Sequence, residues 1–183
     1  ANHLWDKRNS DKDLETVIWS GVVTPKIFSE ICDRTIEKYF SKENYYCIDG
    51  CPVYIIFDID NFIRSFGTSD ECKKAIEKFR QKTIAAGFKG LHLQFVHWRN
   101  RVFNWLDDAD PQKGITSAEM YDFLGADSVT SYNWGCSTDF DGDFTEVTDS
   151  YISAITEETK KLNIPSYPNI CVGWDNNVRF NNF

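Results

Sequence analysis

The chain holds three histidines and no CxxC pair, so the ligand spacing of a zinc site is missing. No apolar run is followed by a glycine-rich phosphate loop, which removes the main reason to expect a nucleotide-binding sheet. GxSxG, HExxH and Cys-His nucleophile signatures are absent as well. No apolar stretch is long enough to cross a bilayer and none has the form of a leader, so no membrane span is expected. Basic residues are the minority: 20 Lys and Arg against 28 Asp and Glu give a net charge of -8. That balance argues against a phosphate-tracking surface and hence against nucleic acid as a partner. Repeats, low-complexity tracts and linkers are missing too, and 183 residues suffice for one domain with a sizeable core.

What the chain does have is aromatic content. Six Trp, eight Tyr and 14 Phe make up 15% of it, and most of these must fill the interior. There are six cysteines, at 32, 47, 51, 72, 136 and 171, several within apolar stretches where a free thiol acts as a small hydrophobe. Cys47 and Cys51 flank a turn at Asp49-Gly50 and are a candidate disulfide; otherwise the cysteines suit a reducing compartment. Localisation stays open between cytoplasmic, which the thiols favour, and a processed secreted protein, which the initial Ala1 allows.

Helices and short strands alternate along the chain. Thr24-Pro25 starts a helix whose apolar positions Phe28, Ile31, Cys32, Ile36 and Tyr39 recur to about Phe40. Val53 to Phe57 is apolar on both faces, as in a buried parallel strand. Thr68-Ser69-Asp70-Glu71 and Thr116-Ser117-Ala118-Glu119 are capping boxes, with Gly87 and Gly125 as stops. Strands are predicted over Gly90–Val96, Asp127–Tyr132 and Asn169–Val172. A long helix marked by Val147, Tyr151, Ile155 and Leu162 precedes the last of them. This order implies an α/β fold with right-handed crossovers and a parallel sheet, either a doubly wound open sheet or a (β/α)8 TIM-barrel type. A barrel gathers polar groups at the C-terminal ends of its strands.

Those ends switch together from apolar to polar and aromatic. The four clusters are Asp58, Asp60 and Asn61; Gln94, His97, Trp98 and Arg99; Tyr132, Asn133 and Trp134; and Trp174, Asp175, Asn176 and Arg179. The predicted ligand face is Asp58, Asp60, Gln94, His97, Trp98, Tyr132, Trp134, Trp174, Asp175, Asn176 and Arg179. Rings would stack on the apolar C–H faces of a sugar while carboxylates, amides and guanidinium bind its hydroxyls. The plainer readings stay open: Asp58 or Asp60 as a helix cap, His92 as a satisfied core or helix-facing residue, His97 as a loop brace, and Arg179 as a clamp on Asp175. Asp139 to Glu146 is acidic, but Gly142 precedes Asp143, against the EF-hand order. The loop is read as ending in a cap at Asp143, and no metal or cofactor is expected.

The run Tyr45-Tyr46-Cys47-Ile48-Asp49-Gly50-Cys51-Pro52-Val53-Tyr54 resembles a block of the WbsX-like domains, with Cys51 in place of the usual Lys. Those domains are grouped with glycoside hydrolase family 99. Ala85–Gln94, Asp127–Tyr132 and Gly173–Phe180 resemble its following strands, and Ala1-Asn2-His3 with Trp5-Asp6 and Arg8-Asn9 an earlier strand end. The resemblance implies a (β/α)8 barrel acting on glycans, with 1–183 its central-to-late portion and a single partial domain. Two open sheet edges would then invite self-association. In the hydrolase relatives a Glu-Trp-x-Glu pair on the last strand supplies the acid and assists attack by the sugar's own 2-hydroxyl. That motif does not occur here, and the nearest pair, Glu157-Glu158, is expected to be solvated. A non-catalytic carbohydrate-binding or scaffold module is the alternative.

Overall fold

The computed structural model describes residues 2–3, 17–19, 21–139 and 142–171. Asn2–His3 (β1) pairs antiparallel with Val17–Trp19 (β2). Thr24 caps α1 (Pro25–Thr35): its hydroxyl accepts from Ile27 N at 3.3 Å, and Pro25 sits in the first turn, where no N–H is needed. The chain then makes a π-helical turn over Ile36–Phe40. Helical spacing predicts Tyr39 inside, but this wider turn delays the apolar face by one residue, so Phe40 is buried and Tyr39 is exposed.

Asp49 (φ 52°) and Gly50 (φ 83°) both adopt positive φ, the backbone of a two-residue type I′ turn. Cys47–Ile48 (β3) therefore folds back antiparallel on Cys51–Ile56 (β4), and Cys47 lies opposite Pro52. Cys51, next along the strand, points to the other face of the sheet. The candidate disulfide is thus not formed, and both thiols are free.

Four strands run parallel in the order β4, β5 (His92–Val96), β6 (Ser128–Thr130), β7 (Ser166–Tyr167), with β3 on the far side of β4 in one curled five-stranded sheet. Three crossovers join them. The first holds α2 (Ile59–Phe66) and α3 (Ser69–Ala85), the second α4 (Ser117–Leu124) and the third α5 (Phe144–Thr159). Thr116 and Glu119 form the reciprocal capping box of α4. Leu162 lies beyond the end of α5 and packs on the main core. The fourth strand sits three residues earlier than predicted. Pro165 needs only its carbonyl, which accepts from Val129 N at 2.9 Å, whereas Pro168 has no N–H with which to extend the ladder.

One face of the sheet packs on the helices. Ile56, Leu93, Phe95 and Val129 meet Phe28, Cys32, Phe62, Ile76, Phe79, Met120 and Leu124 in the main core. Burial pushes the Cys32 thiol up to about 12, so it serves as a core hydrophobe. Arg80 of α3 pins this layer. It donates to Leu91 O at 2.5 Å, to Gly125 O, and to Asp127 Oδ2 at 2.8 Å, and the same oxygen accepts from Leu93 N at 2.7 Å.

Candidate functional site

Register decides which residues can meet. Val53 is opposite His92, Ile55 opposite Gln94, and Gln94 opposite Ser128, all on the face turned away from the helices. By alternation Phe57, Trp98 and Tyr132 extend that face beyond the strand ends, whereas His97 and Ser131 extend the helix face. The three rings do meet. Phe57 stands edge-on to Trp98 at 5.1 Å and to Tyr132 at 5.0 Å, and Trp98 tilts against Tyr132 at 5.3 Å. Trp98 Nε1 donates to Phe57 O at 3.0 Å, which sets the orientation of the indole. Phe57 is 49% and Tyr132 43% exposed, so apolar ring surface is open to a ligand.

Beside this platform lies a groove of about 400 Å³ lined by Asp58, Asp60, Trp98, Arg99 and Arg101. Asp58 is committed to the start of α2. Its Oδ1 accepts from Asp60 N and Asn61 N, both at 3.0 Å, and its Oδ2 from Asn61 Nδ2 at 2.6 Å. Asp60 Oδ2 pairs with Arg101 Nη1 at 2.5 Å. Its Oδ1 is shielded and has no hydrogen-bond partner among the described residues.

Gln94 is buried beneath the platform and donates from Nε2 to Ser128 Oγ at 2.9 Å. Ser128 Oγ also lies 2.7 Å from His92 Nε2. His92 is therefore satisfied, but on the face away from the helices, because it shares register with Val53 while its neighbour Leu93 enters the core.

Two predicted ligand residues sit elsewhere. His97 is only 4% exposed and lies on the helix side, with Nδ1 3.0 Å from the Tyr121 hydroxyl and Nε2 3.7 Å from Glu158 Oε2. Burial lowers its pKa, with the Glu158 charge opposing, and burial likewise pushes the Tyr121 phenol up. Trp134 is buried in a second cluster with Val147, Tyr151 and Ile155. It stacks on Tyr151 at 4.7 Å and donates to Asn169 O at 3.1 Å. Trp174, Asp175, Asn176 and Arg179 lie outside the described residues.

Sequence reasoning missed Phe57, Arg101 and Glu158. Phe57 was legible as the next outward position after Val53 and Ile55. Glu158 was not, since its partner is 58 residues away. Glu157 is solvated and pairs with Lys160, but Glu158 is not free: its Oε2 accepts from Asn100 N and Asn100 Nδ2, each at 2.9 Å. No group of three or more His, Cys, Asp or Glu that could hold a metal ion occurs among the described residues. In the acidic loop Asp143 caps α5, accepting from Thr145 N at 2.8 Å; residues 140–141 lie outside the described residues.

The fold and site define an α/β protein of successive βα units whose aromatic and charged groups gather at C-terminal strand ends. The family model described as "Glycosyltransferase WbsX" matches residues 1–183, and the chain belongs to that family. Membership points to a carbohydrate-active protein. No curated protein and no solved structure matches the chain. Among the described residues no helix is long and apolar enough to cross a membrane.

Proposed function

We propose that the chain forms the substrate-holding arc of a (β/α)8 barrel that acts on glycosidic bonds, with a glycan in the groove beside Trp98. The observation that carries this reading is the Phe57–Trp98–Tyr132 platform next to the Asp60–Arg101 pair. It combines an apolar stacking surface with directional donors and acceptors, the mixture an uncharged amphipathic ligand needs. The parallel order β4 to β7 supports the barrel, since each strand end delivers its side chains to the same rim. Trp174, Asp175, Asn176 and Arg179, outside the described residues, extend the proposed face by family resemblance. Within the 183 residues there is no Glu-Trp-x-Glu, and no residue is assigned the acid–base role.

The test is calorimetric titration with α-linked manno- and gluco-oligosaccharides, together with an assay of cleavage and transfer. Trp98→Ala should weaken binding by about tenfold or more, the worth of one stacked ring. Trp134→Phe, altered in the second core cluster, should leave affinity unchanged. Equal affinity for Trp98→Ala and wild type would refute the groove. Binding without turnover would support the non-catalytic module instead.

A further inference from the structure

Glu158 breaks a local rule. It stands in the last turn of α5, a turn that contains no basic residue, where the helix dipole disfavours a carboxylate. Glu157 beside it is answered by Lys160, but Glu158 reaches to another part of the chain. Its Oε2 accepts from the Asn100 backbone N–H and from Asn100 Nδ2, and its backbone carbonyl accepts from Asn100 Nδ2 at 2.6 Å. Asn100 lies between Arg99 and Arg101, in the loop that also carries Trp98. Other ties of this short stretch run to Phe57 O from Trp98, to Asp60 from Arg101 Nη1, and to the start of α4, where Arg101 N donates to Ser117 Oγ at 3.1 Å and Ser117 N donates to Arg101 O at 3.0 Å. Behind the carboxylate stands His97, almost wholly buried. Its Nε2 has no hydrogen-bond partner among the described residues and lies 3.7 Å from the same Oε2.

We infer that Glu158 is a positioning residue for the ligand groove: it holds the Trp98–Arg101 loop from α5 and thereby sets where the Trp98 ring and the Arg101 guanidinium stand. The role rests on the glycan reading of the groove. Three hydrogen bonds to one residue fix both its backbone and its side chain, so the neighbouring side chains inherit a defined direction. His97 closes the space behind the carboxylate. In the tautomer whose Nδ1 accepts from the Tyr121 hydroxyl, the ring proton sits on Nε2 and faces the negative charge. Glu158→Gln keeps an acceptor for both Asn100 donors, whereas Glu158→Ala keeps neither and retains only the backbone carbonyl contact.

The experiment compares wild type, Glu158→Ala, Glu158→Gln and Asn100→Ala by amide hydrogen exchange over residues 97–104 and by titration with α-linked manno- and gluco-oligosaccharides. Glu158→Ala should lose exchange protection at Asn100 and bind about tenfold more weakly, with Glu158→Gln recovering both. Asn100→Ala should match Glu158→Ala in affinity. A thermal melt reports whether each variant is folded, and a folded Asn100→Ala carries the affinity comparison if Glu158→Ala unfolds. Unchanged protection at Asn100 in Glu158→Ala overturns the anchor. Lost protection with unchanged affinity overturns the positioning role while leaving the groove intact. If the wild type binds no glycan, the reading of the groove fails and the positioning role fails with it.

Discussion

Replacing Asp110 should release the long loop that follows β5. This carboxylate is 4% exposed and accepts three hydrogen bonds, from Ser69 N at 2.8 Å, Ser69 Oγ at 2.6 Å and Gln112 N at 2.9 Å. Ser69 is the first residue of α3 and is fully buried, so no water can replace the lost acceptor without a rearrangement. Each bond to a charged group contributes about 1.5–3 kcal/mol, and an orphaned buried donor costs about 1–3 kcal/mol. With two such donors on Ser69, Asp110→Ala should cost about 3 kcal/mol in urea denaturation followed by circular dichroism at pH 7. Asp110→Asn keeps one oxygen but turns an NH2 toward a donor, so it should fall between the two. Burial by itself would raise the pKa of this group; the bonds from Ser69 and Gln112 outweigh that and hold it below the usual range. The unfolded state therefore takes up the proton first. The stabilisation is present above about pH 4 and is lost as pH falls through the folded value, and Asp110→Ala should lack this acid-side loss. A cost under about 1 kcal/mol for Asp110→Ala, or an Asp110→Asn as stable as wild type, would refute the reasoning.

Three further outcomes are expected. His97 has a lowered pKa, so the unfolded chain binds the proton more readily. Stability should fall as pH drops below about 6.5, at no more than about 1.4 kcal/mol per pH unit, and His97→Gln should remove that dependence in melts across the range. Arg80→Lys keeps the charge but loses the fork that reaches Leu91 O, Gly125 O and Asp127. A loss of about 1–3 kcal/mol should appear in urea denaturation. Gly125 ends α4 at φ 70°, so Gly125→Ala should cost about 1 kcal/mol and Gly125→Asn less, by the same measurement.

Much of the scaffold was legible because its signals are local. Thr24-Pro25, Thr68 and Thr116 start helices where their side chains satisfy free N–H groups, and Asp49-Gly50 makes its turn because both residues accept positive φ. Apolar runs separated by amphipathic helices sufficed for a parallel α/β order. The π-helical turn at Ile36–Phe40 was hidden, since one extra residue per turn leaves no mark in a 3.6-residue period. At the strand ends, composition merged two faces. His97 and Trp98 are adjacent in sequence, yet alternation sends one to Tyr121 and the other to Phe57.

The sequence by itself determined the family, the helix starts, the turns and the aromatic character of the strand ends, because each is written in residues close along the chain. Only the tertiary structure decided which of those aromatics form a surface. Trp98 and Trp134 look alike as strand-end indoles. One stands half-buried on the outer face against Phe57 and Tyr132, and the other is stacked on Tyr151 in a core cluster. Alternation alone would put both on the outer face; instead the chain turns into a 3-10 helix at Trp134–Cys136, and Tyr151 and the Asn169 carbonyl, residues that neither periodicity nor spacing relates to it, hold the Trp134 indole inside.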